Sequence, residues 1–219
     1  MLNDYKIFMP VKSIFASMKI ICVGRNYGEH AKELGNAVPE NPVIFCKPDT
    51  ALLKNDESFY LPSFSDDVHH EVELVVRICK TGKKIEEKFA RNYFNEIGIG
   101  IDFTARDLQS QLKSKGLPWE LAKAFDGSAP VGEFIKVEDH NLNAIHFSLK
   151  KNGELVQKGI SGDMIFSFQK IVSFVSNYFT LKVGDLIFTG TPAGVGKVSI
   201  GDKLEGFMED KLMLTCEVK

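Results

Sequence analysis

The chain has 219 residues, of which 44% are hydrophobic and 26% charged, and its formal net charge is −2. That length can bury a substantial core without disulfide or metal staples, and the near-neutral balance leaves no basic footprint for nucleic acid or an anionic membrane. No run reaches the roughly 18–20 apolar residues of a membrane span, and residues 1–20 interrupt their apolar runs with Asp4, Lys6, Lys12 and Lys19, unlike a secretory signal. Cys22, Cys46, Cys79 and Cys216 are far apart and lie in apolar, strand-like runs. They read as buried reduced thiols of a cytoplasmic protein.

No repeat or Pro/Gly/Ser linker divides the chain, so the expectation is a short extension over residues 1–18 and a single catalytic domain over 19–219. β-Branched and aromatic runs predict strands over 19–24, 42–46, 72–79 and 97–103. Between them, residues 27–34 read as a short helix and 87–94 as a weak one. Residues 105–115 lack Gly and Pro and stop at Gly116, as a helix would. Ile145, Phe147 and Leu149 alternate with polar residues, the pattern of a half-buried strand, and Asn152-Gly153 supplies a hairpin turn. Asp163 is read as the N-cap of the longest helix, whose apolar stripe is Ile165, Phe168, Ile171, Val172 and Val175. A strand over 186–189 and a hairpin turning near Glu209-Asp210 close the chain. Strands with interspersed helices imply a β-rich α+β fold or β-roll.

In the run His69-His70-Glu71-Val72-Glu73-Leu74, two carboxylates stand two residues apart. In a strand they share a face, roughly 6.5–7 Å apart. The plain alternative is a solvated strand face. Buried together they repel, and a divalent cation between them reverses the sign of that interaction. Asp102 ends the apolar run Ile97-Gly98-Ile99-Gly100-Ile101 and could supply a third acid. Three carboxylates with open positions suit Mg²⁺ or Mn²⁺, whereas no Cys/His spacing suggests zinc. His69 would share the acids' side of the strand and His70 would face away.

His30 and Glu33 are i, i+3 on the candidate helix, where a carboxylate can orient an imidazole and raise its basicity. Arg106 and Gln109 share one face of the helix after Asp102 and could clamp a carboxylate and donate a hydrogen bond; for them, as for Lys123, the plain alternative on spacing alone is a solvated helix residue. Lys123 follows Trp119 by one helical turn and could stabilise an oxyanion. The stretch from Thr189 to Lys197 looks like a phosphate loop but fails, because Thr191 stands where the first Gly is needed and Val198 replaces Ser/Thr. A nest of backbone N–H groups for a carboxylate remains.

Taken in order, residues 24–30 (GRNYGEH), Lys47-Pro48, 70–74 (HEVEL), 102–107 (DFTARD), 115–123 (KGLPWELAK) and 184–196 (GDLIFTGTPAGVG) resemble the fumarylacetoacetate hydrolase family, in its short acylpyruvase and oxaloacetate decarboxylase branch. The resemblance implies a mixed β-sandwich roll, usually a homodimer. It implies Glu71, Glu73 and Asp102 as metal ligands, and His30 and Glu33 as the pair that activates water on a segment that closes over ligand. Arg106, Gln109 and Lys123 match substrate-contacting positions, and Thr191 with the Gly190 backbone matches the site that holds the substrate carboxylate. Arg25 and Lys47 lie in matching segments and are taken as substrate-binding. Residues 22–26 contain no acid, so the fourth carboxylate of larger fumarylacetoacetases is not expected. The implied activity is Mg²⁺- or Mn²⁺-dependent cleavage of a carbon–carbon bond in small 2,4-dioxo acids or oxaloacetate. The alternatives are an isomerase or tautomerase of unsaturated oxo diacids using the same metal–enolate chemistry, and a binding protein that holds a dicarboxylate–metal complex without turnover.

Overall fold

The computed structural model describes residues 18–29, 38–54 and 57–219. Nearly all of the expected extension, and most of the expected helix over 27–34 including His30 and Glu33, lie outside the described residues.

The main sheet is built from β1 (Ile20–Gly24), β2 (Val43–Lys47), β3 (Leu52–Lys54), β5 (Val72–Ile78), β6 (Phe94–Ile101), β8 (Ala129–Lys136) and β11 (Leu186–Phe188). Its order is β2-β1-β11-β5-β6-β8-β3, with β1–β11 and β3–β8 parallel and the other pairs antiparallel. Central β5 is buried from Val72 through Val76, as expected of a strand covered on both faces. A second sheet joins β9 (His146–Lys151), β10 (Glu154–Ile160), β13 (Lys203–Met208) and β14 (Lys211–Glu217) in the order β10-β9-β13-β14. In β9, Phe147 and Leu149 are buried and His146 is exposed, which is the alternation read from the sequence. Asn152 and Gly153 both take positive φ, 54° and 86°, and close the β9–β10 hairpin. Leu149, Leu204, Met208 and Leu214 of this sheet share one core with Leu74, Ile97 and Ile99 of the main sheet. A small third sheet, β4 (Val68–His70), β7 (Thr104–Ala105) and β12 (Gly196–Lys197), lies at the site.

Besides the helical residues Gly28 and Glu29, four α-helical segments are described: α1 (Glu87–Ala90), α2 (Arg106–Ser114), α3 (Glu120–Lys123) and α4 (Phe168–Tyr178). The α4 stripe Phe168, Ile171, Val172 and Val175 is buried as expected, but Asp163 is not its cap. Asp163 ends a separate 3-10 turn, and the Ser167 hydroxyl accepts the Lys170 N–H at 3.2 Å. Residues 164–167 do not join the helix because Met164 and Ser167 are extended, with ψ 133° and 163°; the N–H groups of Ile165 and Phe166 are donated to the backbone and side chain of Asn26. The four cysteines are free, as expected, yet only Cys22 and Cys216 are fully buried.

Candidate active site

The acids come together through strand register. Val72 pairs with Ile101 and Glu73 with Gly100, so continuing the ladder sets Glu71 opposite Asp102, whose N–H donates to the Glu71 carbonyl at 2.8 Å. Directly opposed residues, and residues two apart on one strand, share a face. Glu71, Glu73 and Asp102 therefore point into one space, each with a carboxylate oxygen within 4.8 Å of the others'. They are 5%, 2% and 1% exposed, which rules out the solvated-face alternative. Glu71 itself sits in the break between β4 and β5.

Three buried carboxylates this close need positive charge. Lys123 Nζ donates to Glu71 Oε2 (2.9 Å), Asp102 Oδ2 (2.6 Å) and Thr104 Oγ1 (2.6 Å), and Arg106 donates to Glu71 Oε1. Burial alone would weaken the Lys123 ammonium, but the charges of Asp102 and Glu71 outweigh it and hold its pKa above the ordinary value. Glu73 makes no ion pair among the described residues; its Oε2 accepts the Gly190 N–H at 2.7 Å. Burial first, then the charge of Asp102, pushes its pKa well above the ordinary 4.5.

A divalent cation fits this arrangement. Asp102 Oδ1 is buried without a hydrogen-bond donor, although Lys47 Nζ lies 2.9 Å from it. The contact is a charge contact without hydrogen-bond geometry, and Nζ donates instead among the carbonyls of Lys123, Ser128 (3.0 Å) and Phe103 (3.4 Å) and Ser128 Oγ (2.9 Å). That oxygen lone pair and the unfavourable charge on Glu73 are the features a hard cation with oxygen ligands would relieve.

Two of the expected substrate contacts, Lys47 and the Gly190 N–H, are engaged within the protein. The Lys47 side chain is fully buried behind Asp102 and does not line the cleft. In this position it braces the acid. The Gly190 N–H, expected to hold a substrate carboxylate, is committed to Glu73. Gly190 itself has φ +101°, and a Cβ there would lie 2.6 Å from that of Asn26, so the turn that delivers this N–H requires glycine. Neighbouring Thr191 does line the cleft.

Gln157 was not visible as a site residue in the sequence. Its amide donates to Thr191 Oγ1 (2.8 Å) and the Pro192 carbonyl (3.0 Å), while its oxygen accepts the Val72 N–H (3.0 Å) and faces His70 Nδ1 (2.9 Å). Because Val72 N–H can only donate, the amide orientation is fixed, and His70 must carry its proton on Nδ1. His70 thus faces away from the acids, as expected, and burial lowers its pKa. His69 pairs with Asp67 Oδ1 at 3.0 Å. Thr104 and Ser128 were also missed; both are fully buried and hold the lysines.

Above the acids a cleft is bounded by α2, Trp119 and the backbone from Val23 to Arg25. Arg106 and Gln109 both face it, as their spacing implied, and Arg106 donates to Gln109 Oε1 at 2.7 Å. With Arg106 and Lys123 turned onto the acids, the enclosed space is about 30 Å³, enough for about one water-sized group.

The sequence matches the fumarylacetoacetate (FAA) hydrolase C-terminal family over residues 19–219. It is 43% identical over 201 residues to a mouse protein named oxaloacetate tautomerase FAHD1, mitochondrial, covering 91% of each chain. It is 44% identical over 188 residues to oxaloacetate tautomerase YcgM of Escherichia coli (strain K12), covering 85% of this chain and 86% of that one. Its fold superposes with a TM-score of 0.86 on the crystal structure of fumarylpyruvate hydrolase from Pseudomonas aeruginosa in complex with Mn²⁺ and pyruvate, at 36% identity, covering 92% and 89% of the two chains. With a matched family spanning the described sheets and the residues of the acidic cleft, this chain belongs to the fumarylacetoacetate hydrolase family.

Proposed function

We propose that this chain is a divalent-metal-dependent enzyme that acts on short 2-oxo acids through their enolates, hydrolysing acylpyruvates and decarboxylating oxaloacetate. The observation that carries the proposal is the buried Glu71–Glu73–Asp102 cluster opening into a cationic cleft. These three side chains would hold Mg²⁺ or Mn²⁺. A divalent ion there supplies Lewis-acid polarisation of a 2-oxo group and lowers the cost of enolate formation.

The rest falls to the chain's own groups. Arg106 and Thr191 bind the substrate carboxylate, with Arg25 at the cleft wall. Lys123 is held protonated by its acidic neighbours, so it stabilises an oxyanion as a cation and hydrogen-bond donor, with Gln109 beside it. His30 and Glu33, on the family resemblance, take a proton from water. The hydroxide adds to the distal carbonyl of an acylpyruvate, the bond between that carbon and C3 breaks, and its electron pair passes to C3. Return of the proton taken from water to C3 then gives pyruvate and a carboxylic acid.

Tautomerisation of oxaloacetate is the second reading, supported by the names of the mouse and Escherichia coli relatives. It needs proton transfer at C3 but no attacking water. The assay is turnover of acetylpyruvate and oxaloacetate with Mg²⁺, Mn²⁺ or chelator, following enol absorbance and pyruvate separately. Pyruvate from either substrate supports cleavage. Enol loss without pyruvate supports tautomerisation alone. Tight oxalate binding without either change would favour a non-catalytic binding protein. Glu33→Gln should impair hydrolysis far more than decarboxylation; equal losses would remove the water-activating role.

We place the enzyme in the cytoplasm as a homodimer, on the family resemblance and the reduced cysteines. The mouse relative is named as mitochondrial, so fractionation as well as light scattering bears on this. Among the described residues no helix is long and apolar enough to cross a membrane.

A further inference from the structure

Helix α2 presents a third residue to the cleft besides Arg106 and Gln109. Lys113 follows Arg106 by seven residues, two helical turns and about 10.5 Å along the axis, and it lines the same wall. Its ammonium lies 5.3 Å from the centre of the Trp119 ring. Among the described residues no carboxylate comes within salt-bridge distance of it, in contrast to Arg106 and Lys123. Arg25 approaches the same indole, its guanidinium carbon 6.0 Å from the ring centre, and its Nε is buried without a hydrogen-bond acceptor. Arg25 is also held at φ +61°, a backbone conformation that a non-glycine residue adopts at a cost.

These two cations are surplus to the acidic cluster. Four cationic side chains and three carboxylates line the cleft, and Arg106 and Lys123 are already engaged by the acids. Burial, followed by the charges of Arg25, Arg106 and Lys123, pushes the Lys113 pKa down. A bound divalent ion adds further positive charge. A half-desolvated ammonium in such a field gains most when a second anion arrives beside it.

We propose that Lys113, supported by Arg25, determines specificity by pairing with a second carboxylate at the far end of the substrate, so that the cleft favours dianionic over monoanionic acids. The inference rests on the reading of this cleft as a 2-oxo acid site and deepens it. Gln109, between Arg106 and Lys113 on the helix, leaves the interval for the short carbon chain joining the two carboxylates.

Trp119 is the only tryptophan in the chain and reports directly on this wall. The test titrates its fluorescence in the Mn²⁺-loaded protein with racemic malate and racemic lactate, inert chelators that share one end and differ by the distal carboxylate. Wild type should bind malate more tightly. Lys113→Met should reduce the ratio of lactate to malate dissociation constants roughly tenfold to a hundredfold, the worth of one charge-assisted contact. Lys113→Arg should retain the ratio, and Lys113→Gln repeats the test should the methionine variant fold poorly. An unchanged ratio in the methionine or glutamine variant overturns the inference and leaves the 2-oxo acid reading intact. No response to malate, lactate or pyruvate in Mn²⁺-loaded wild type removes that reading, and the inference with it.

Discussion

Replacing Lys47 by Met tests whether this lysine braces the acidic cluster. Methionine keeps much of the side-chain volume, so the change removes charge and hydrogen bonds more than packing. The ammonium is fully buried, 2.9 Å from Asp102 Oδ1, and donates to two backbone carbonyls and the Ser128 hydroxyl. Removing it leaves a buried carboxylate compensated by Lys123 alone and strands carbonyl oxygens in the interior. Breaking a buried ion pair from one side costs about 3–5 kcal/mol. For a chain of this size that is a fall of about 6–20 °C in Tm at about 2–4 °C per kcal/mol. The assay is urea unfolding followed by Trp119 fluorescence, with chelator and with saturating Mn²⁺. Metal at a hundredfold excess over Kd stabilises wild type by about 2.7 kcal/mol. Lys47→Met should gain more than this, because the ion takes over neutralisation of Asp102. A metal-free variant within about 1 kcal/mol of wild type, less than the cost of one stranded group, would refute the reasoning, as would equal metal stabilisation of both proteins.

Glu73 gives the metal-free protein a pH dependence of definite sign. Its folded pKa lies above 4.5, so its contribution to stability is complete below about that value and is lost as pH rises through the folded pKa. Glu73→Gln should therefore be more stable than wild type in chelator at pH 7–8, with the advantage vanishing towards pH 4.5; denaturant melts across that range would show it, and a less stable variant at pH 8 would count against it. The same variant, like Glu71→Gln and Asp102→Asn, should lose more metal affinity in calorimetry than the roughly 10–100-fold that an outer partner is worth. Gln157→Leu leaves the Val72 N–H and His70 Nδ1 without partners at about 1–3 kcal/mol each and frees the Thr191 hydroxyl to rotate. Its KM should rise more than its kcat falls; a pure kcat loss would contradict a positioning role.

The parts of the site that could be read in the sequence are those set by local spacing. Glu71 and Glu73 share a face because a strand repeats every two residues, and Arg106 and Gln109 because a helix brings i and i+3 together. Lys113 was available by the same reasoning at i+7 and was overlooked. Long-range contacts left weaker traces. Lys47 ends an apolar strand like many surface lysines, and only the approach of Phe103, Lys123 and Ser128 shows its buried role. Gln157 stands in Leu155-Val156-Gln157-Lys158, where strict alternation would not mark it for a polar network; the register shift between Leu155 and Gln157 accompanies its inward placement. Asp163 was a reasonable cap by type, but the backbone is extended at Met164 and Ser167, in a segment anchored by Asn26, distant in sequence, which accepts the N–H groups of Ile165 and Phe166.

The central claim is that Glu71, Glu73 and Asp102 jointly hold a divalent ion. Anomalous diffraction from crystals grown with Mn²⁺ and oxalate tests it most directly. The account expects one peak with an oxygen of each of the three carboxylates within about 2.0–2.3 Å, Lys123 Nζ drawn away from Glu71 and Asp102, and oxalate filling the open positions. A peak elsewhere, or none while Lys123 and Arg106 still span the acids, would contradict it.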